Sequence, residues 1–201
     1  MSESLQPCPR CQLKHQCLCD TLPLLDVPTH IALLMHENEL SRETNTGQWL
    51  LKSIHSSSSH VWQRKAPCPE LLALLKSELY QPFLLFPSEE SQPVETAYQN
   101  AQSSDKTPLF IILDGTWQEA KKMLRKSDWL AEIPHAHISP TEASRYQLRR
   151  NQQAGHLCTL EVGCEVLFAI GEQRKAQQLL GFFERYMQAF KADKSGHALK
   201  G

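Results

Sequence analysis

The chain has 201 residues, 41% of them hydrophobic and 21% charged, which is enough apolar material for one buried core. A net charge of −1 excludes a uniformly basic nucleic-acid coat, so any phosphate contact must come from a local patch. No apolar run approaches the roughly 20 residues of a membrane span, and MSESLQPCPRC lacks the basic-then-apolar layout of a signal peptide. A cytoplasmic setting is therefore expected, in which the seven cysteines serve as metal ligands or thiols rather than disulfides.

Cys8, Cys11, Cys17 and Cys19 open the chain as C-x-x-C-x5-C-x-C. Two close pairs of thiolates suit tetrahedral zinc, and four of them leave no open position for a substrate. Residues 1–27 are thus expected to be a cysteine-rich structural zinc knuckle. Incidental buried cysteines or a redox C-x-x-C pair are the alternatives. Cys68, Cys158 and Cys164 are isolated and read as packing.

From residue 28 onward, short apolar runs alternate with helical patterns. HIALLMH (30–36) reads as a buried strand, and ETNTGQWLLKSIH (43–55) turns helical. VWQRK (61–65) is a candidate second strand. Pro69 opens a helix through Tyr80, with Leu71, Leu72, Leu74, Leu75 and Leu79 expected inward. PFLLFP (82–87) is a strand closed by proline. Residues 88–106 are polar and weakly patterned, which predicts a long loop with a helical turn near 96–101. LFIIL (109–113) is the clearest buried strand, and a helix from about Thr116 to Lys126 follows it. Beyond HAHIS come a basic stretch, an apolar helix near 159–170 and an amphipathic one over 173–191. In the last, Ala176, Leu179, Leu180, Phe183, Met187 and Phe190 share one face. The alternation predicts an α/β fold, a mostly parallel sheet with helices on both faces.

FIILDGTWQEAKKML (110–124) carries a buried strand into an acid. Asp-Gly between two strands signals a hairpin, but the residues that follow are helical. Thr116 and Glu119 fit a capping box, which makes Thr116 the N-cap and leaves Asp114 over. Beyond the carboxyl end of a strand in an open α/β sheet, Asp114 is a candidate general base or ligand anchor. A turn-stabilising role is the alternative. On the following helix Trp117, Ala120 and Leu124 are expected inward. Lys121, Lys122, Arg125 and Lys126, with Arg145, Arg149 and Arg150 further on, make either a phosphate-binding rim or a solvated face. The chain contains no G-x-G, so a glycine-rich Rossmann cofactor loop is not expected.

LDGTW (113–117) resembles the D-x-T-W signature of the DTW-domain family. Other segments match in the same order: the four cysteines, HENE (36–39) then NTG (45–47), LLFPSE (84–89), and SRYQLRRNQQAGHLCTLE (144–161). Glu37 departs from the proline expected after the histidine, which bears on a local turn. Proteins of this family resemble tRNA-uridine aminocarboxypropyltransferases, which move the 3-amino-3-carboxypropyl group of S-adenosylmethionine onto N3 of a tRNA uridine, forming acp3U. The resemblance implies that residues 28–201 are a SPOUT-like catalytic domain with a C-terminal trefoil knot, a rare topology.

It further implies S-adenosylmethionine as co-substrate and tRNA as partner, with monomer and homodimer both open. Asp114, Thr116 and Trp117 would be catalytic, Asp114 taking the N3 proton. Leu85, Phe86, Pro87, Leu113, Leu157, Cys158, Thr159 and Glu161 would surround the cofactor. Lys121, Lys122, Arg125, Arg145, Arg149 and Arg150 would meet tRNA phosphates, and the knuckle is expected on the same side. Trp117 has two readings, against the sulfonium or in the core. Glu161 also has two, an anchor for the cofactor's amino group or a first-turn helix acid. A SPOUT-type RNA methyltransferase and a non-enzymatic zinc-knuckle RNA-binding protein are the rival functions. His36, His135 and His137 read as structural.

Overall fold

The apolar runs become strands of one sheet in a computed structural model of the chain, which describes residues 6–139, 146 and 157–199. The strands are β1 (His30–Met35), β2 (Ser57–Val61), β3 (Tyr80–Leu85), β4 (Gln92–Pro93), β5 (Thr107–Asp114) and β6 (His135–His137). They line up as β2-β1-β5-β3-β6-β4, and every pairing is parallel. The helices are α1 (Gly47–Ser53), α2 (Pro69–Lys76), α3 (Val94–Ser103), α4 (Trp117–Arg125), α5 (Asp128–Ala131), α6 (Thr159–Ala169) and α7 (Gln173–Lys194).

Central parallel strands are buried on both faces and so read as unbroken apolar runs. In β1, Ile31, Leu33 and Met35 enter one core with residues of α1, α6 and α7, such as Trp49, Leu160 and Phe183. Ala32 and Leu34 enter a second core with Leu71, Met123 and Leu130 of α2, α4 and α5. A third cluster joins Phe83 and Phe110 to α3 and to Val166 of α6. Helices therefore cover both faces, as expected. Gly163 lets α6 lie close on α1, because a Cβ there would stand 2.5 Å from the Leu50 side chain.

Several boundaries differ from the sequence reading. The second strand is Ser57–Val61, not 61–65: a serine run with poor strand preference is recruited by pairing with Ile31–Met35. α2 stops at Lys76, so Leu79 is 72% exposed rather than inward. Residues 94–103 form a full helix instead of a loop, burying Val94, Ala97 and Ala101 at i, i+3 and i+7. Two of those three are alanines, too small to stand out as an apolar stripe. Residues 140–145 and 147–156, in the C-terminal part of the chain where the trefoil knot is expected, lie outside the described residues. Among the described residues no helix is long and apolar enough to cross a membrane.

The cysteine-rich segment packs on the rest of the chain. Cys11, Leu13, Leu18, Cys19 and Leu22 are buried in the same cluster as Trp49, Phe182 and Tyr186. The backbone N–H groups of Lys14 and His15 donate to Asp193 Oδ1 on α7 at 2.7 and 2.8 Å. Contacts thus cross the division expected at residue 27.

Candidate active site

β1 and β5 run side by side to Met35 and Asp114, and the His36 N–H donates to the Asp114 carbonyl at 2.9 Å. This sets the segments after both strands next to each other at the carboxyl end of the sheet. The Asp114 side chain is only 2% exposed. Thr159 Oγ1, at the start of α6, donates to Asp114 Oδ1 at 2.6 Å, and Asn45 Nδ2 donates to Oδ2 at 2.8 Å. The α1 turn closes over the same carboxylate: a Cβ on Gly47 would lie 2.8 Å from Oδ2 and 2.7 Å from Leu33 Cδ1. Only glycine fits between them. The expectation that this acid is left over at the strand end is therefore corrected. It is a buried acceptor that ties β5, α1 and α6 together.

A second carboxylate organises the other side of Gly115. Thr116 is the N-cap of α4, and Glu119 completes the predicted capping box, accepting the Thr116 N–H at 2.8 Å. Glu119 also accepts two hydrogen bonds from the Arg42 guanidinium, both at 2.8 Å, and one from Asn38 Nδ2 at 2.7 Å. Burial alone would raise the Glu119 pKa, but Arg42, Asn38 and Thr116 outweigh it and hold the acid well below the usual carboxylate range. The Glu119 bonds in turn raise the Arg42 pKa. Arg42 also pairs with the buried Glu39, and Glu39 Oε2 accepts from Asn45 Nδ2 at 3.0 Å. Asn45 thus bridges the Asp114 and Glu119 halves of one continuous network.

Farther away, the thiol sulfurs of Cys8, Cys11, Cys17 and Cys19 all lie within 4.8 Å of one another, close enough to hold one metal ion. Gln12 adopts a positive φ of 62° in the tight turn after Cys11. Backbone N–H groups of Cys11 and Arg10 draw the Cys8 thiol down to about 6. Beside the turn, Lys52 Nζ donates to the Arg10 carbonyl at 2.6 Å and to Gln48 Oε1 at 2.8 Å, and lies 4.6 Å from the Trp49 ring centroid.

Compared with known proteins, the chain matches the DTW domain over residues 5–191. It belongs to the DTW-domain family. It is 27% identical over 169 residues to a Drosophila melanogaster protein named tRNA-uridine aminocarboxypropyltransferase 2, covering 82% of this chain and 66% of that one. To a Mus musculus protein of the same name it is 24% identical, covering 89% of this chain and 61% of the relative. To tRNA-uridine aminocarboxypropyltransferase A of Arabidopsis thaliana it is 29% identical, covering 61% and 52%. The chain therefore spans about half to two-thirds of the length of these relatives. No solved structure matches it significantly.

The DTW signature is split by the structure. Asp114 turns inward and Thr116 caps α4, whereas Trp117 is 37% exposed instead of packing beneath the helix. Ala120 and Met123 are the residues α4 buries. Trp117 stacks on Phe86 at the end of β3, with ring centroids 5.3 Å apart and planes 11° from parallel. Of the expected cofactor residues, Leu85, Phe86, Leu157 and Cys158 are half-buried and Pro87 is exposed. Leu113 instead faces the second core. Glu161 is 4% exposed and accepts the Cys158 N–H at 2.8 Å and the Tyr146 N–H at 3.1 Å. That geometry is the first-turn helix acid, the second of its two readings.

Lys121, Lys122 and Arg125 are exposed along α4. Arg145, Arg149 and Arg150 lie outside the described residues. The knuckle shares the core of α1 and α7, whereas α4 sits on the core of the opposite sheet face, so the two are not on one side. Sequence reasoning missed Asn38, Glu39, Arg42 and Asn45 as network members. Their only signal was membership of HENE and NTG, or proximity to them, because nothing local says that these polar groups are buried together.

Proposed function

We propose that this DTW protein transfers the 3-amino-3-carboxypropyl group of S-adenosylmethionine to N3 of a tRNA uridine, and that its cysteines hold a structural zinc ion. The observation that carries the reading is convergence. HENE, NTG, LDGTW and CTLE, far apart in the chain, meet in one hydrogen-bonded network at the strand ends, where open α/β sheets bind ligands. The relatives' names supply the chemistry.

Uridine N3 is an imide nitrogen whose lone pair becomes available only as its proton leaves. When bound, S-adenosylmethionine supplies an electrophilic carbon next to its sulfonium. Holding N3 in line with that carbon provides effective molarities on the order of 10⁵ M or more, whereas a positioned base contributes about 10²–10⁴-fold. Positioning is the larger effect. Burial of Asp114 between Asn45 and Thr159 supports a positioning role for it, keeping α1, β5 and α6 in register, rather than the base role expected from sequence. Thr116 and Glu119 hold the start of α4 against the Arg42 loop. Leu85, Phe86, Pro87, Leu157 and Cys158 form the apolar wall for the cofactor, with Leu113, Thr159 and Glu161 behind it. Lys121, Lys122 and Arg125, with Arg145, Arg149 and Arg150, make the phosphate rim. A SPOUT-like knotted topology and a cytoplasmic location belong to the same reading.

The zinc assignment rests on spacing. Sulfur–sulfur distances of 3.6, 3.7 and 3.9 Å match the edge of about 3.8 Å of a tetrahedron with 2.3 Å zinc–sulfur bonds. Elemental analysis of protein prepared without chelator should find about one zinc per chain.

The deciding experiment incubates purified protein and S-adenosylmethionine with unmodified tRNA and weighs the nucleosides. Aminocarboxypropyluridine is the expected product. A methylated base would establish the methyltransferase instead, and tRNA binding without cofactor binding would leave only an RNA-binding protein.

A further inference from the structure

With Asp114 held inside the network, transfer at uridine N3 needs another acceptor for the departing proton. β6, two strands away from β5, brings two histidines to the carboxyl end of the sheet. Ala136 between them is buried in the third cluster. By strand alternation His135 and His137 face the other side, that of Leu84 and α4. The Phe86 N–H donates to the Ala136 carbonyl at 3.0 Å, which sets the proposed wall of Leu85, Phe86 and Pro87 against β6. Trp117 stacks on Phe86 and opens the helix that carries Lys121, Lys122 and Arg125. His137, the last residue of its strand, thus stands beside the wall and on the face of the basic rim.

The two imidazoles differ in what fixes them. Ser91 Oγ donates to the Ser88 carbonyl at 2.7 Å and accepts the Ser88 N–H at 3.1 Å. A hydroxyl has one hydrogen, and without it two oxygens that close would repel. The contact of 2.9 Å between His137 Nδ1 and Ser91 Oγ is therefore an Nδ1–H donating. In a neutral ring this leaves the lone pair on Nε2. Among the described residues His137 Nε2 has no partner, and it is not buried. His135 is held otherwise: its Nδ1 shares a hydrogen with Ser88 Oγ across 3.0 Å, which either atom can donate, and its Nε2 is buried. The charged groups near His137 are Glu89 and Glu90 in the serine turn and Glu95 on α3, all exposed. Tyr98 of α3 packs on the opposite face.

We infer that His137 is the general base of the proposed transfer, with Ser91 as the positioning residue that fixes its tautomer. The inference rests on the aminocarboxypropyl reading and gives His137 a role where its spacing suggested only structure. His137 Nε2 takes the N3 proton as the bond from N3 to carbon forms. The carbon–sulfur bond breaks, its electron pair stays on sulfur, and the sulfonium becomes a neutral thioether. A base oriented through one ring nitrogen keeps the other for the substrate. Such a base contributes about 10²–10⁴-fold in rate.

The test begins on the full chain without cofactor or RNA. With nitrogen-15 in the histidine rings, His137, assigned by its loss in His137→Gln, should show a protonated Nδ1 and a bare Nε2. Ser91→Ala should turn that signature into a mixture of tautomers. Single-turnover transfer to unmodified tRNA comes next. The wild-type rate should climb with pH across the ordinary imidazole range and then level off. His137→Gln should be about 10²–10⁴-fold slower with that limb flattened, and Ser91→Ala should fall between with the limb kept. Affinities for S-adenosylmethionine and tRNA, and the thermal midpoint, should move little in either variant. An Nε2–H signature in wild type, or a His137→Gln rate and pH profile like wild type, would overturn the assignment. Lost cofactor affinity in His137→Gln would also overturn it and make His137 a binding residue. A wild type that transfers nothing fells the enzymatic reading and the base together, whereas an active wild type indifferent to His137→Gln fells the base alone.

Discussion

The two polar centres of this molecule are built in opposite ways. The cysteine knuckle draws its four sulfurs from 12 consecutive residues, and a metal ion can collect them with little help from the rest of the fold. The strand-end network spans His36 to Glu161 and exists only because β1 and β5 finish side by side with α1 and α6 laid across them. A short-range site announces itself in spacing. A long-range site is a product of the tertiary structure and should fail with it.

The largest effect should come from the short-range centre. Stripping the proposed zinc ion with a strong chelator should lower the thermal midpoint by about 10 °C or more, because ligand geometry and burial of Leu13, Leu18 and Leu22 are lost together. A change of only a degree or two, with metal loss verified, would show that the knuckle stands without its ion.

Next comes Asp114→Ala in the network. It leaves the Asn45 amide and the Thr159 hydroxyl facing a small void, and should destabilise the protein by about 2–4 kcal/mol in urea titrations, with transfer lost as well. Asp114→Asn keeps an acceptor for Thr159 and should fall between. If Asp114→Ala abolished transfer at full stability, the base role would return.

Glu119→Gln is milder and carries a pH signature. The folded-state pKa of Glu119 is depressed, so its contribution is complete above the unfolded value of about 4.3 and is lost as pH falls toward the folded value. Wild type should therefore lose stability more steeply than Glu119→Gln below about pH 5. Parallel acid limbs would mean that the Arg42 pair adds nothing net. The smallest effect is Lys52→Met, which removes a cation beside a cluster of thiolates and should lower metal affinity about tenfold in chelator competition without moving the fold.

What could be read in advance follows the same division. The knuckle, the α4 capping box and the central strands were legible because each depends on neighbours in sequence: C-x-x-C, Thr116 with Glu119, and the run LFIIL. β2 was misplaced because Ser57–Ser59 carry no strand signal of their own and are placed by β1. α3 was foreseen only as a turn near 96–101 because its buried face is built mostly from alanines. Asp114 was located correctly at the strand end, but its direction was not legible. Whether a carboxylate turns outward or inward depends on Asn45 and Thr159, which lie 69 and 45 residues away. Of the two readings of Trp117, the inward one came from helical spacing and does not hold: as the first residue of α4 the side chain reaches past the core to Phe86.

The clasp between Lys14, His15 and Asp193 has a consequence for biosynthesis. Its partners are separated by 179 and 178 positions. During translation the thiols emerge well before α7, so the greasy underside of their turn, with Leu13 and Leu18, stays uncovered until Asp193 leaves the ribosome. The nascent polypeptide thus carries this turn with a bare apolar side until α7 arrives and packs over it.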